Sequence, residues 1–223
     1  MAITVLAGGQ PLTLLPEKAA FIEASRTLLV ADAHIGKAVS FRALGVPVPR
    51  GTTAETLSAL SALAGRTAAR RIVFLGDFLH SARAHAAATI AAVTAWRERH
   101  TALDLVLVRG NHDDRAGDPP SHLRMHVVDE AWELDGFALC HHPRRRPGAY
   151  VLAGHIHPCV SLGARAWDRL RLPCYWLGDS VGVLPAFGAF TGMHPIRPVG
   201  ADRVFPVADG TVALLRPSEQ RAA

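Results

Sequence analysis

Five short apolar runs in this chain end on residues that carry chemistry, and that repetition constrains the fold more than any other feature. Thr27-Leu28-Leu29-Val30-Ala31 leads into Asp32-Ala33-His34, and Arg71-Ile72-Val73-Phe74-Leu75 into Gly76-Asp77-Phe78-Leu79-His80. Leu103 to Val108 precedes Arg109-Gly110-Asn111-His112-Asp113, and Phe137-Ala138-Leu139-Cys140 precedes His141. Tyr150-Val151-Leu152-Ala153 runs into Gly154-His155-Ile156-His157. Unbroken apolar runs of this length, bounded by glycine or charge, are the pattern of strands buried on both faces. Between them lie helical patterns. Thr52-Thr53-Ala54-Glu55 has the form of a capping box, and Leu57, Leu60 and Leu63 continue at helical spacing. Ala84 to His100 is alanine-rich, with Ile90, Val93 and Trp96 on one side. Strands alternating with helices predict an α/β fold. The strand- and turn-rich stretch from Leu123 onward adds a second sheet to the same core, so the expectation is one domain over residues 1–223 with a frayed polar tail from Pro217.

A chain of 223 residues, 49% of them hydrophobic, can bury such a core. No window of ~18 uninterrupted apolar residues occurs and the start lacks a leader pattern, so neither a membrane span nor a signal peptide is expected. The cysteines, Cys140, Cys159 and Cys174, are odd in number and form no C-x-x-C pair. They fit a reducing cytoplasm better than a disulfide framework. The formal charge is +5, and Lys18 and Lys37 are the only lysines, which leaves 22 arginines among the 24 basic residues. Such a balance attracts polyanions, and the guanidinium fork matches phosphate bidentately. A bias in genome base content gives the same excess, so charge alone assigns no partner.

In open α/β sheets, ligands gather outside the carboxyl ends of the strands, so these motifs should converge. What converges is oxygen and imidazole without cysteine, a set that suits Mn, Fe, Zn or a similar divalent ion better than a closed structural zinc site. D-x-H and H-x-H place alternate side chains on one side of an extended segment. The motif glycines allow close backbone approach or a sharp turn without a side-chain clash. Asp77 has two oxygens that accept independently, so it can bridge two ions. Two such ions hold a hydroxide between them and neutralise a phosphoryl group undergoing in-line displacement. Each motif alone is common in turns and surfaces. All of them in one order, each after an apolar run, form a constellation.

D-x-H, GD-x-x-H, GNHD, H and GH-x-H, in that order from Thr27 to Pro158, resemble the signature of the calcineurin-like metallophosphoesterases. Leu28 to Ala38, Val46-Pro47-Val48-Pro49, His141-His142-Pro143, the Pro147-Gly148 turn and Pro185 to Gly192 are similar to the bacterial ligase-associated DNA damage response endonucleases, the PdeM family. The resemblance implies a four-layer α/β/β/α sandwich with two facing mixed sheets. It implies a first ion held by Asp32, His34 and His157, a second by Asn111, His141 and His155, and Asp77 between them. His112 would contact the scissile phosphate and protonate the leaving oxygen. His80 stands where many relatives carry an aspartate paired with that histidine, and the same GD-x-x-H variant marks the double-strand-break repair nucleases of the superfamily. The implied cofactor is two divalent ions, manganese foremost, with Fe, Zn, Ni and Mg as other fits. The implied substrate is DNA, with a functional association with a DNA ligase and helicase of a repair system.

Some residues keep two readings. Arg144, Arg145 and Arg146 fall between two ligand strands and are either phosphate-backbone contacts or a solvated charged loop. A strand end seldom points two neighbours at one metal, so His142 is assigned no role. Asp113 is read as a turn or supporting hydrogen-bond residue, and His85, His100, His122, His126 and His194 as surface or core. Two other functions compete with a DNA phosphodiesterase. One is a small-molecule phosphoesterase for cyclic nucleotides or nucleotide-linked pyrophosphates; the lipid-A-pathway hydrolases that exemplify the latter use an apolar lid for acyl chains, and no long apolar insert is seen here to serve as one. The other is a non-catalytic scaffold of the same fold, against which every ligand position is filled.

Overall fold

The computed structural model of the chain describes residues 1–48, 51–163 and 170–216. Pro49 and the tail from Pro217 lie outside the described residues. The first sheet runs in sequence order: β1 (Ile3–Ala7), β2 (Gln10–Leu14), β3 (Ala20–Ile22), β4 (Thr27–Ala31), β5 (Arg71–Leu75), β6 (Asp104–Val108) and β7 (His126–Val128). β1 to β4 pair antiparallel in succession, while β4 to β7 run parallel. The second sheet holds β8 (Trp132–Leu134), β9 (Phe137–Leu139), β10 (Tyr150–Ala153), β11 (Pro158–Leu162), β12 (Leu170–Leu177), β13 (Val181–Val183) and β14 (His194–Pro195). Its order is β14-β11-β12-β13-β10-β9-β8, and β15 (Arg203–Ala208) pairs with β12 and with β16 (Thr211–Val212). The expected α/β class with two facing mixed sheets is what the chain adopts.

The apolar runs are unbroken because both faces of each strand are covered. Leu28, Val30, Ile72, Phe74, Leu105 and Leu107 point to the helical side, and the alternate residues Leu29, Ala31, Val73, Leu75, Val106 and Val108 to the other sheet. There they meet Phe137, Leu139, Tyr150, Leu152, Tyr175 and Leu177. Each fully buried side chain of this size contributes roughly 1.5–3 kcal/mol, which fixes the register of the strands. Register in turn levels the strand ends: Ala31 pairs with Leu75 and Leu75 with Val108, so the segments after β4, β5 and β6 leave the sheet together.

The helices α1 (Lys37–Ala43), α2 (Thr52–Thr67), α3 (Ala87–Arg99) and α4 (Asn111–Ala116) all precede Arg124. Leu57, Leu60 and Leu63 of α2 and Val93 and Trp96 of α3 pack on the first sheet, whereas Ile90 is only half-buried. The capping box does not form. Helix α2 begins at Thr52 itself with Gly51 at its N-cap and no side-chain cap, because Thr52 already has helical backbone. A helical layer over the outer face of the second sheet is likewise missing among the described residues. After Leu123 the chain is broken by proline and glycine before any helical period can develop, and that face carries a small apolar cluster instead.

Candidate metal centre

Asp32 and His34 follow β4, Asp77 and His80 follow β5, and Asn111 and His112 open α4 just after β6. His141 follows β9, while His155 and His157 lie between β10 and β11. The first two loops are tied to each other: the His34 N–H donates to the Asp77 carbonyl at 2.8 Å, the Ile35 N–H to Phe78 O at 2.8 Å, and the His80 N–H to Ile35 O at 3.1 Å. The Gly154 N–H donates to His141 O at 3.1 Å. The segment Leu184–Gly188 crosses between the sheets, its Phe187 N–H on Ala31 O at 2.8 Å and its Gly188 N–H on Asp32 O at 3.2 Å. All the ligand candidates therefore meet at one edge.

Two clusters share Asp77. In the first, His34 Nε2 and His157 Nε2 are 3.3 Å apart, and Asp32 Oδ1 is 3.4 Å from His157 Nε2. In the second, Asn111 Oδ1 is 2.9 Å and His155 Nδ1 is 3.0 Å from His141 Nε2. Asp77 lies between them with its oxygens divided, Oδ2 at 3.8 Å from His34 Nε2 and Oδ1 at 3.5 Å from His141 Nε2. Asp32, Asp77 and His141 are buried, with at most 2% of their surface exposed.

The donor set fits cations. His141 Nδ1 faces the Leu75 carbonyl at 3.1 Å and must carry the proton, because a carbonyl can only accept. Its Nε2 is then a lone pair directed at the Asn111 oxygen, another lone pair. His157 Nδ1 likewise donates to Gly192 O at 3.2 Å, which turns its Nε2 lone pair toward Asp32 Oδ1. Asp32 Oδ1 is buried without any hydrogen-bond partner, and an unpaired carboxylate oxygen in that position is costly. A divalent ion between such atoms removes both penalties, with ligand spacings close to those expected for metal–nitrogen bonds of about 2.1 Å. Desolvation, reinforced by Lys37 and the neighbouring histidines, drives His34 far below the ordinary range, and burial lowers His155 as well. Both are thus held in the neutral form that ligates.

Asp32, His34, Asp77, His155 and His157 all have left-handed backbone, with φ between 45° and 71°. Non-glycine residues rarely adopt it, at a cost of order 1 kcal/mol each, and here the interloop hydrogen bonds impose it. The motif glycines serve these side chains. A Cβ on Gly76 would overlap the His141 ring, one on Gly110 would lie 2.5 Å from Asp77 Oδ1, and one on Gly154 2.6 Å from Asp32 Oδ2. Of the two roles expected for these glycines, the sharp turn is seen at Gly76, with φ at 77°, and all three admit candidate ligand side chains against the backbone.

His112 and His80 stack with ring centroids 4.9 Å apart. His112 Nδ1 donates to the His80 main-chain carbonyl at 2.6 Å, leaving Nε2 on the Asp77 side, 3.9 Å from Oδ2. His80 thus faces His112 with its main-chain carbonyl and its ring. Burial, then Lys37 and His112, hold His80 down to about 4, so it is uncharged at neutral pH. Asp113 accepts the N–H groups of Phe78, Leu79 and Gly110 at 3.0–3.2 Å and pins the loop, as read from the sequence. Burial pushes its carboxyl up to about 7 although those donors oppose the shift.

The sequence reading missed Glu130. Its Oε2 accepts the N–H of both His141 and His142 at 3.1 and 3.0 Å, and its Oε1 is 2.5 Å from His142 Nδ1. His142 is thereby brought beside the second cluster, its ring 4.7 Å from that of His155. The signal was present, since Val127-Val128-Asp129-Glu130 is again an apolar run ending in acid after a parallel strand, but it was too short to stand out. Arg144, Arg145 and Arg146 are exposed, and Arg145 with Pro143 lines a cleft shared with Ile156. His100 and His122 bond to Ser61 and Thr94 away from the centre.

No family model and no curated protein matches the chain. Among solved structures, the crystal structure of the nuclease MPE from Pseudomonas putida is 45% identical in sequence, with a TM-score of 0.86, covering 96% of this chain and 100% of its own. Yfce, a phosphoesterase from E. coli, is 14% identical with a TM-score of 0.41, over 85% of this chain and 97% of its own, too distant to bear on the site.

Proposed function

The chain belongs to the metallophosphoesterase nucleases, and from that premise we propose that it is a two-metal phosphodiesterase that cleaves DNA. It is a metal-dependent phosphoesterase, and the observation that carries the finer reading is the pair of lone-pair clusters on either side of Asp77. Asp32, His34 and His157 would hold one ion, Asn111, His141 and His155 the other, and Asp77 would lend an oxygen to each. When bound, two such ions neutralise the phosphoryl group and bring the pKa of water at the site toward neutrality. Asp32, Asp77 and the histidines of the two clusters would be taken up as ligands, His112 serves as the acid and Asp113 is engaged by three backbone N–H groups, so the reading has no covalent intermediate and an in-line displacement. His112, with its Nδ1 proton committed to His80 O, holds the transferable proton at Nε2 and delivers it to the leaving oxygen. Arg144, Arg145 and Arg146 hold the strand's phosphates on the exposed loop between β9 and β10.

The similarity to ligase-associated endonucleases supports manganese as the ion and a place in DNA repair beside a ligase and a helicase. The three free, buried cysteines support a reducing, cytoplasmic setting. The apolar interior shared by both sheets supports one catalytic domain across residues 1–223. The test is a panel with added manganese: labelled single-stranded DNA, a duplex, bis-p-nitrophenyl phosphate and a nucleotide sugar. Cleavage of DNA together with the small diester is expected. Hydrolysis of the nucleotide sugar with intact DNA would move the protein to the small-molecule phosphoesterases.

A further inference from the structure

The outer face of the second sheet, bare of helices among the described residues, is apolar. Val160, Cys174, Ile196, Val204 and Leu215 are buried there, with Ile156 and Trp176 packed against them and half-exposed. Trp176 and Ile156 line two adjoining clefts of about 370 and 1020 Å³. His155 stands in the wall of the larger, which therefore opens beside the metal centre, and Arg145 in that of the smaller. Arg171 and Arg197 are exposed in the larger cleft. Among the described residues no carboxylate pairs with Arg145, Arg171 or Arg197.

The indole narrows what can sit there. Its single N–H is given to Asp202 Oδ2 at 2.8 Å, and the same oxygen accepts the Val199 N–H at 2.9 Å. Tryptophan has no other donor and no acceptor, so what it retains for a ligand is its π surface. Proteins hold single strands in this way, with bases stacked on aromatic rings and arginines tracking the phosphates. Arg171 and Arg197, exposed in the larger cleft, are the cations beside the indole on that side, in addition to Arg145 in the smaller cleft, where Asp179 offsets part of its charge. Resting on the reading of the protein as a DNA phosphodiesterase, we propose that Trp176 is a nucleobase-stacking subsite, where an unpaired base beside the scissile phosphate stacks on the indole while Arg171 and Arg197 hold the adjoining phosphates.

The experiment measures binding of a hydrolysis-resistant phosphorothioate thymidine 12-mer to the manganese-loaded full chain by fluorescence anisotropy, alongside bis-p-nitrophenyl phosphate hydrolysis. Trp176→Leu keeps apolar bulk against the cluster but removes the ring. It should bind about five- to a hundredfold more weakly, the usual loss per stacked base, with the small diester hydrolysed within about twofold of wild type. Trp176→Phe should recover most of the affinity. Arg171→Ala with Arg197→Ala should flatten the log–log salt dependence by roughly 0.7 per lost contact. Unchanged binding by Trp176→Leu, or Trp176→Phe as weak as Trp176→Leu, overturns the subsite. So does an equal loss on the small diester, which would make Trp176 structural, or a wild-type dimer split by Trp176→Leu, which would make this face a contact between copies. A wild-type chain that hydrolyses the diester yet binds no oligonucleotide removes the DNA reading itself, a result distinct from all of these.

Discussion

Gly76→Ala tests the account of the motif glycines and the metal centre together. Gly76 follows β5 with φ at 77°, and a Cβ there would lie 2.1 Å from His141 Nδ1. Carbon contacts settle at about 3.5–4.0 Å, so the imidazole or the strand end must give by about 1 Å or more. His141 has nowhere to go, being fully buried and anchored by its Nδ1 to Leu75 O at 3.1 Å. Overpacking of this kind costs about 1–3 kcal/mol and left-handed alanine another ~1–2, so ~2–5 kcal/mol in all. For a chain of this length that lowers Tm by about 4–20 °C without abolishing folding. Activity should suffer more. Displacing a ligand by about 1 Å costs on the order of a hundredfold in rate, and the second ion should be lost first because Asn111, His155 and Asp77 all converge on His141 Nε2. The assay is metal content after dialysis, calorimetry and bis-p-nitrophenyl phosphate turnover, with Gly9→Ala as control. Gly9 has φ at 81° but nothing within 4 Å of an added Cβ, so it isolates the backbone strain. If Gly76→Ala retains two ions per chain and near-normal turnover, the glycine is not there to admit His141, and the reasoning fails.

Removal of the shared carboxylate in Asp77→Ala should take metal content well below two per chain and activity to background, as read by elemental analysis and turnover; full occupancy would end the bridging role. His112→Ala should keep its metals but lose about 10²–10⁴ in rate on DNA, the span of general-acid catalysis, and less on a p-nitrophenyl ester whose leaving group needs no proton. An equal loss on both substrates counts against the acid role. Glu130→Gln keeps the shape of the side chain but weakens its hold on two backbone N–H groups and on His142. It should reduce manganese affinity about ten- to a hundredfold, the usual effect of a residue that orients a ligand, while an unchanged metal titration would make Glu130 a purely structural brace.

The sequence by itself determined which side chains end the buried strands and what chemistry they can do. An unbroken apolar run followed by aspartate or histidine is a local pattern, and parallel strands deliver their carboxyl ends to one edge whatever the rest of the chain does. Asp32, His34, Asp77, Asn111, His141, His155 and His157 could be read as candidate ligands for that reason. The missing cap of α2 and the bare outer face of the second sheet were not, because backbone at Gly51 and packing beyond Leu123 depend on neighbours far along the chain. Nor could the sequence say that Gly76 makes room for His141, that His80 steers His112 through a carbonyl, or that Glu130 grips the His141–His142 peptide. Each of these is a contact between loops on different strands, set by the register of β4, β5 and β6 and by the face-to-face packing of two sheets. Residue types and their order name candidate ligands; only the tertiary structure, by fixing distances of about 3 Å between segments remote in sequence, decides which atoms face one another and which proton each imidazole must carry.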